Sequence, residues 1–255
     1  MVRSSIQKKA RPATLEPAPF YQFPIEDAYG YPKAMPPARK IGLGRRALTG
    51  LVPRSNSDPA HFESSLERDL FVLLEFDPHV YFWEPQPVTL DVTNPADMRA
   101  RRYTPDVLFG RRVRDAQADW SDQVTLAEVK YREQLKENWT ELRPRLRAAR
   151  RFASSQGWKF KIFTEREIRT PRLDNAKFLL PYADIVVDDH DELRVWNVVQ
   201  ELTLTTPNEL LVALSDDRWE RARLLTCLWR LIARYRIGIE LSSPISMNAP
   251  IWPND

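Results

Sequence analysis

Two short apolar runs set the tightest limit on how this chain can fold. Tyr103 to Phe109 reads Tyr-Thr-Pro-Asp-Val-Leu-Phe, and Val124 to Lys130 reads Val-Thr-Leu-Ala-Glu-Val-Lys. Both are rich in β-branched and aromatic residues and are expected as buried strands. Burial disfavours charge, yet Asp106 lies in the first run, and Glu128 and Lys130 lie in the second. Side chains on a strand alternate with period two, so Glu128 and Lys130 face the same way. Pairing of the two strands would bring Asp106 to them. Two carboxylates, with the Val129 carbonyl as a further oxygen, can hold a hard cation such as Mg²⁺. A lysine beside them can orient water and offset negative charge on a phosphate under attack. The pattern is that of metal-dependent phosphodiester cleavage. Its plain alternative is strand-end carboxylates paired with lysine for solubility. A second triplet, Gln134-Leu135-Lys136, follows in a polar, helix-like stretch with no strand beneath it.

The surrounding pattern is α/β. Ser57 or Asp58 can cap a helix with Pro59 at its first position, running from about 59 to 75 through Phe62, Leu66, Leu70, Phe71 and Leu74. Glu63 and Glu67 would lie one turn apart on it, with Glu67 near the apolar face, as an edge residue or as a third acid reaching toward the sheet. Asp77-Pro78 ends the helix. Val80 to Trp83 is a strand, Glu84 to Pro87 breaks it, and Val88 to Val92 resumes. Gly110 to Ser121 reads as a polar, arginine-rich connection. A helical zone from about Glu133 to Ser155 is expected to be interrupted at Pro144. Trp158 to Phe163 is another strand, and a short helix follows near Leu173 to Leu180. Helix, strands, helix, strand gives an α/β sandwich with a mixed sheet; no Gly-rich phosphate loop follows a strand, so it is not a Rossmann unit.

Residues 1 to about 57 form a separate zone, with eight of the 21 prolines and four of the seven glycines. That excludes a long helix or a central strand and suits an extended arm that wraps the body or folds on a partner. Arg39, Lys40, Arg45 and Arg46 alternate with apolar residues in the arm, as a contact tracking a DNA backbone would, or as a surface strap would. The net charge is only +3, so clustering matters more than the total. Arg143, Arg145, Arg147, Arg150 and Arg151 share one helix, as a phosphate-attracting face or a solvated one.

From about Asp184 helices dominate. Thr206-Pro207-Asn208-Glu209 is a capping box opening a helix through Leu214, and Arg218 to Tyr235 forms a longer one. Ile237 to Leu241 and Ser246 to Trp252 look like two short strands. This is a winged-helix outline, a unit that reads DNA or docks on protein. Arg218, Arg221, Arg223, Arg230, Arg234 and Arg236 weakly favour an anionic partner. The domains are therefore expected as arm 1–57, catalytic 58–174 and winged helix 175–255. Cys227 is the single cysteine, excluding an intrachain disulfide framework and a cysteine-based zinc site. No apolar run approaches a membrane span, and the N-terminus lacks a signal-peptide core, so the chain reads as cytoplasmic.

The chain resembles the TnsA family, the endonuclease subunit of Tns-type heteromeric transposases. The likeness covers most of residues 40 to 252. It rests on Phe62 to Asp69, Leu74 to Val80, Gln86-Pro87, Tyr103-Thr104-Pro105-Asp106, Ala127 to Tyr131, Trp158 to Glu167 and Arg236-Ile237-Gly238. It implies a restriction-endonuclease-like domain of the PD-(D/E)xK type, with mixed sheet, plus a C-terminal winged helix. It also implies Mg²⁺-dependent cutting, with Mn²⁺ as a substitute, of the 5′ (non-transferred) strand at transposon ends in a bacterial cytoplasm. The family's helix glutamate falls on Glu67, because it ends Ser-x-Leu-Glu; its metal-binding aspartate falls on Asp106 and its catalytic lysine on Lys130. Some members carry glutamine two residues before that lysine; Glu128 here restores the commoner nuclease pattern. Implied partners are double-stranded transposon-end DNA, the DDE recombinase subunit TnsB and the AAA+ ATPase regulator TnsC. Rival readings are a stand-alone restriction or repair nuclease with the same core, and a non-catalytic DNA-binding scaffold. The intact set of charged residues argues against the scaffold, since buried charges cost stability.

Overall fold

The structure, a computed structural model, describes residues 50–54, 58–93, 98–114 and 119–254. The arm through residue 49, including Arg39, Lys40, Arg45 and Arg46, lies outside the described residues. The described residues divide into two compact units meeting at 177/178.

The first unit opens with β1 (Gly50–Val52) paired antiparallel with β2 (Ala60–Phe62), then α1 (Ser65–Phe76). The helix therefore starts at Ser65, six residues later than Pro59. Ala60 to Phe62 are held extended by β1, and Ser64, not Ser57 or Asp58, is the cap: its hydroxyl accepts the Glu67 N–H at 3.1 Å. Glu63 thus precedes the helix. Next come β3 (Val80–Pro85), β4 (Leu90–Thr93), β5 (Ala100–Tyr103), β6 (Val107–Arg114) and β7 (Trp120–Val129). Tyr103 to Phe109 is not one strand. Pro105 has no N–H for a ladder, and Thr104-Pro105-Asp106 separates β5, paired with β4, from β6. Nor is Gly110 to Ser121 a loop throughout: β6 and β7 stay paired out to Arg114 opposite Trp120.

After β7 come α2 (Arg132–Glu137), α3 (Trp139–Ser155), β8 (Lys159–Phe163), α4 (Glu165–Ile168) and α5 (Pro171–Ala183). The break falls at Asn138, not at Pro144, which lies within α3. Near a helix start, proline's missing N–H costs at most one intrahelical bond. The sheet has the order β3-β6-β7-β8, antiparallel except for the parallel β7–β8 pair. It is a mixed sheet in an α/β unit. Alternation along the strands sends Val107, Phe109, Ala127 and Val129 into the cluster with Leu66, Leu70, Phe71 and Leu74 of α1. Leu108 and Leu126 point the other way, onto Ala149 and Ala153 of α3.

The second unit contains the end of α5, then α6 (Asp189–Leu202), α7 (Pro207–Leu214), α8 (Arg218–Ala233), β9 (Ile237–Ile239) and β10 (Ile251–Pro253). The Thr206–Glu209 capping box forms as expected. α6, which the sequence pattern did not reveal, is capped by Asp188. β9 and β10 form an antiparallel ribbon, and Thr205 bridges to Ile251. Gly238 is required there, since a Cβ would fall 2.2 Å from the Trp252 indole nitrogen. The arginines of α8 are largely spent internally. Arg223 and Arg230 pair with Asp191 and Glu192 of α6, and Arg221 lies 3.7 Å from Asp216. Just beyond α8, Arg236 stacks on Trp196.

Candidate functional site

The break at Pro105 positions the first acid. Asp106 donates its N–H to the Ala127 carbonyl (3.1 Å), and its own carbonyl accepts the Gln86 N–H (2.9 Å), so the turn is tied to β7 and to the end of β3. Gln86 adopts φ +47°, an uncommon conformation for a non-glycine residue. The Asp106 carboxylate accepts the Val129 N–H at 2.6 Å. The next residue after β7 is Lys130, whose N–H is anchored to the Phe163 carbonyl of β8. Its ammonium lies 2.7 Å from Glu128 Oε1, 3.6 Å from Asp106 Oδ2, and donates to the Val129 carbonyl at 3.0 Å. The period-two argument for Glu128 and Lys130 therefore holds, and the strands do bring Asp106 to them.

Glu67 comes from the first turn of α1 and is buried. Its two oxygens accept the Glu63 N–H (3.0 Å) and the Ser64 hydroxyl (2.9 Å). It feels the charges of Asp106 and Lys130. Burial first, then repulsion by Asp106, pushes its pKa up to about 7 against the helix-start hydrogen bonds and Lys130. Burial and then Glu128 likewise push Asp106 up to about 7, opposed by Lys130 and the Val129 N–H. For Lys130 burial works against the charge, but Asp106 and Glu128 outweigh it and hold the ammonium above its ordinary pKa. The cluster thus gathers three carboxylates around one ammonium, too little positive charge for all to ionise comfortably in a low-dielectric setting.

Two neighbours were not singled out from sequence as site residues. The Tyr103 hydroxyl donates to Glu128 Oε2 at 2.7 Å in a buried contact; burial and then Glu128 raise its own pKa. Its signal was its place three residues before Asp106. Ser64 holds Glu67, and Ser-x-x-Glu was the signal there. The triplet Gln134-Leu135-Lys136 lies in α2, off the sheet. On α3, Arg143, Arg147, Arg150 and Arg151 are exposed and share one face by helical spacing, while Arg145 pairs with Glu141 at 2.7 Å. Among the described residues, the histidine and carboxylate group whose ligand atoms all lie within 4.8 Å is Asp188, His190 and Asp191 at the start of α6; the carboxylates around Lys130 are spread more widely. No helix among the described residues is long and apolar enough to cross a membrane.

A mixed sheet with an acid at a strand break and Glu-x-Lys leaving the next strand defines a nuclease class of the restriction-endonuclease-like fold. Residues 77–165 match the family model for the TnsA-like endonuclease N terminal, so this segment is similar to the N-terminal domain of TnsA-like endonucleases. The match includes Asp106, Glu128, Val129 and Lys130 and begins at the end of α1, beyond Glu67. The comparison with curated proteins gave no match.

Proposed function

We propose that this chain is the endonuclease subunit of a Tns-type transposase, which cuts the 5′ (non-transferred) strand at transposon ends by Mg²⁺-dependent hydrolysis. The observation that carries the reading is the convergence of Asp106, Glu128 and Lys130, on a segment matching the TnsA-like family, within 3.6 Å of the lysine ammonium. The donor set suits a hard cation: carboxylate oxygens of Asp106 and Glu128, the Val129 carbonyl, and Glu67 from the helix side. The raised pKa of Asp106 and Glu67 is what an anionic cluster short of positive charge gives. Mg²⁺, or Mn²⁺ in its place, would polarise the scissile phosphate and acidify the attacking water. Lys130 orients that water or neutralises charge growing on the phosphate. Tyr103 fixes the rotamer of Glu128, and the Val129 N–H fixes Asp106. The products are a 5′-phosphate and a 3′-hydroxyl.

The second unit reads as a winged helix, from three helices and an antiparallel ribbon. We assign it to protein docking rather than DNA reading. Arg221, Arg223 and Arg230 have acidic partners within the unit, whereas Val186, Leu193, Leu204, Val212 and Trp219 are large apolar residues left exposed. The partners proposed are the DDE recombinase TnsB and the AAA+ regulator TnsC. DNA contact falls to the basic arm and the open arginine face of α3.

The test is strand cleavage in a reconstituted reaction with Mg²⁺. Asp106→Ala and Lys130→Ala should each abolish it while circular dichroism and melting show a folded chain. Native cutting rates in both variants would sink the assignment.

A further inference from the structure

Beside the candidate site lies a second feature that the hydrolysis above does not use. Asp69, on α1 two residues past Glu67, is buried, and three cations converge on it. Lys177 Nζ lies 2.9 Å from Oδ1, Arg68 Nη2 lies 3.0 Å from the same oxygen, and Arg169 Nε lies 3.1 Å from Oδ2. One buried carboxylate calls for one counter-ion; here there are three. Their side chains remain 38%, 41% and 38% exposed for Arg68, Arg169 and Lys177. They line a cavity of about 310 Å³ floored by Leu173, with Asp174 and Thr170 at its edge. Asp69 and the exposed Asp174 together leave one positive charge over.

The cavity is wired to the active-site segments. The Arg169 guanidinium also donates to the Tyr131 hydroxyl at 3.0 Å and to Ser65 Oγ at 2.9 Å, and those two hydroxyls lie 3.0 Å apart. Tyr131 follows Lys130 directly, Arg68 follows Glu67, and Ser65 follows the serine that holds Glu67. A ligand seated on these cations is therefore anchored to the two segments that carry the candidate catalytic groups. Both arginines turn Nε and Nη2 inward, Arg68 onto Asp69 and Arg169 onto Asp69, Ser65 and Tyr131, so the outer Nη1 groups and the remaining Lys177 protons are the donors offered to a phosphate oxygen.

We propose that this cavity is a binding subsite for a backbone phosphate of double-stranded DNA near the scissile one, with Arg68, Arg169 and Lys177 as its donors and Asp69 as the buried anchor that holds them in place. The proposal rests on the nuclease reading and says how the strand is held for it. Asp69 then organises the cations and does not itself meet DNA.

The test is titration of the full-length chain onto a fluorescent duplex over a range of salt, without divalent cation so that binding is read apart from cleavage. Asp69→Asn keeps the three cations and should bind at least as tightly as the native chain. Adding Arg68→Met, Arg169→Met and Lys177→Met to it removes all three donors without stranding a buried carboxylate. That quadruple variant should show a slope of log Kobs against log salt shallower by about 0.9, the contribution of one duplex phosphate. Should it fail to fold, Lys177→Glu alone, on a partly exposed side chain, should flatten the slope in the same direction. An unchanged slope in the folded variant overturns the subsite; if Asp106→Ala still stops cleavage, the nuclease reading survives that loss. A native chain that neither binds duplex nor cleaves it with its partners overturns both.

Discussion

Glu63 and Glu67 stand four residues apart and have different tasks. Glu63 lends its backbone N–H to Glu67, while the Glu67 carboxylate is buried within the electrostatic reach of Asp106 and Lys130. Glu67→Ala should slow cleavage on the order of a hundredfold, as removal of an electrostatic group in an active site does; Glu63→Ala should stay near native. Equal loss in the two, measured with end-labelled DNA, would refute the distinction. A pH prediction follows from the raised Glu67 and Asp106 pKa of about 7. The native chain keeps protons that the unfolded chain has released, so this stabilisation is complete below the ordinary carboxylate range and is lost as pH rises through 7. In EDTA, the melting temperature should fall between about pH 5 and about pH 8, and adding Mg²⁺ or Mn²⁺ should reverse the fall at the upper end, because the cation binds the ionised forms. A melting temperature that climbs over that interval without cation would contradict it. Sequence made Asp106, Glu128 and Lys130 legible because strand alternation is strict. Tyr103 was not singled out because its role depends on a turn that folds it back over Glu128.

At the scale of elements, local chemistry was readable where one motif stood unopposed. Thr206 to Glu209 gave its capping box, and Trp158 to Phe163 gave β8 within a residue. Reading failed where two signals competed. Asp58-Pro59 is a sound helix start, but pairing with Gly50–Val52 keeps Ala60 to Phe62 extended, and Ser64 starts α1 instead. α6 was not singled out from sequence, because its cap, Asp188, stands among three further polar residues that obscure the helix start. Pro144 looked like an interruption, yet sits early enough in α3 for the helix to absorb it. Ser64→Ala tests the α1 start: loss of an N-cap hydroxyl costs about 1 kcal/mol. Urea unfolding should show a loss of that size, with cleavage weakened as well, because the same hydroxyl donates to Glu67. Unchanged stability would mean that the cap contributes nothing.

For the whole molecule, charge distribution says more than the total of +3. The second unit neutralises several of its own arginines and leaves apolar side chains outward, whereas α3 of the first unit turns four arginines to solvent. The chain alone should therefore hold DNA weakly, through few phosphates and with a correspondingly modest salt slope. With recombinase, ATPase and transposon-end DNA, cleavage should switch on, confined to the strand that the recombinase does not transfer. Strand-specific end labelling with and without partners reads this directly. Efficient, sequence-specific double-strand cutting by the lone chain would replace the transposase reading with the stand-alone nuclease. If cleavage waits on partners, as proposed, the idle molecule has to persist without a bound cation. The Lys130 ammonium, 2.7 Å from Glu128 and 3.6 Å from Asp106, offsets part of the carboxylates' charge with a positive group of the chain's own. A structural metal site collapses when stripped; under the nuclease reading proposed above, a centre with its own counter-charge gives way only in part, and chiefly at the upper end of the pH range.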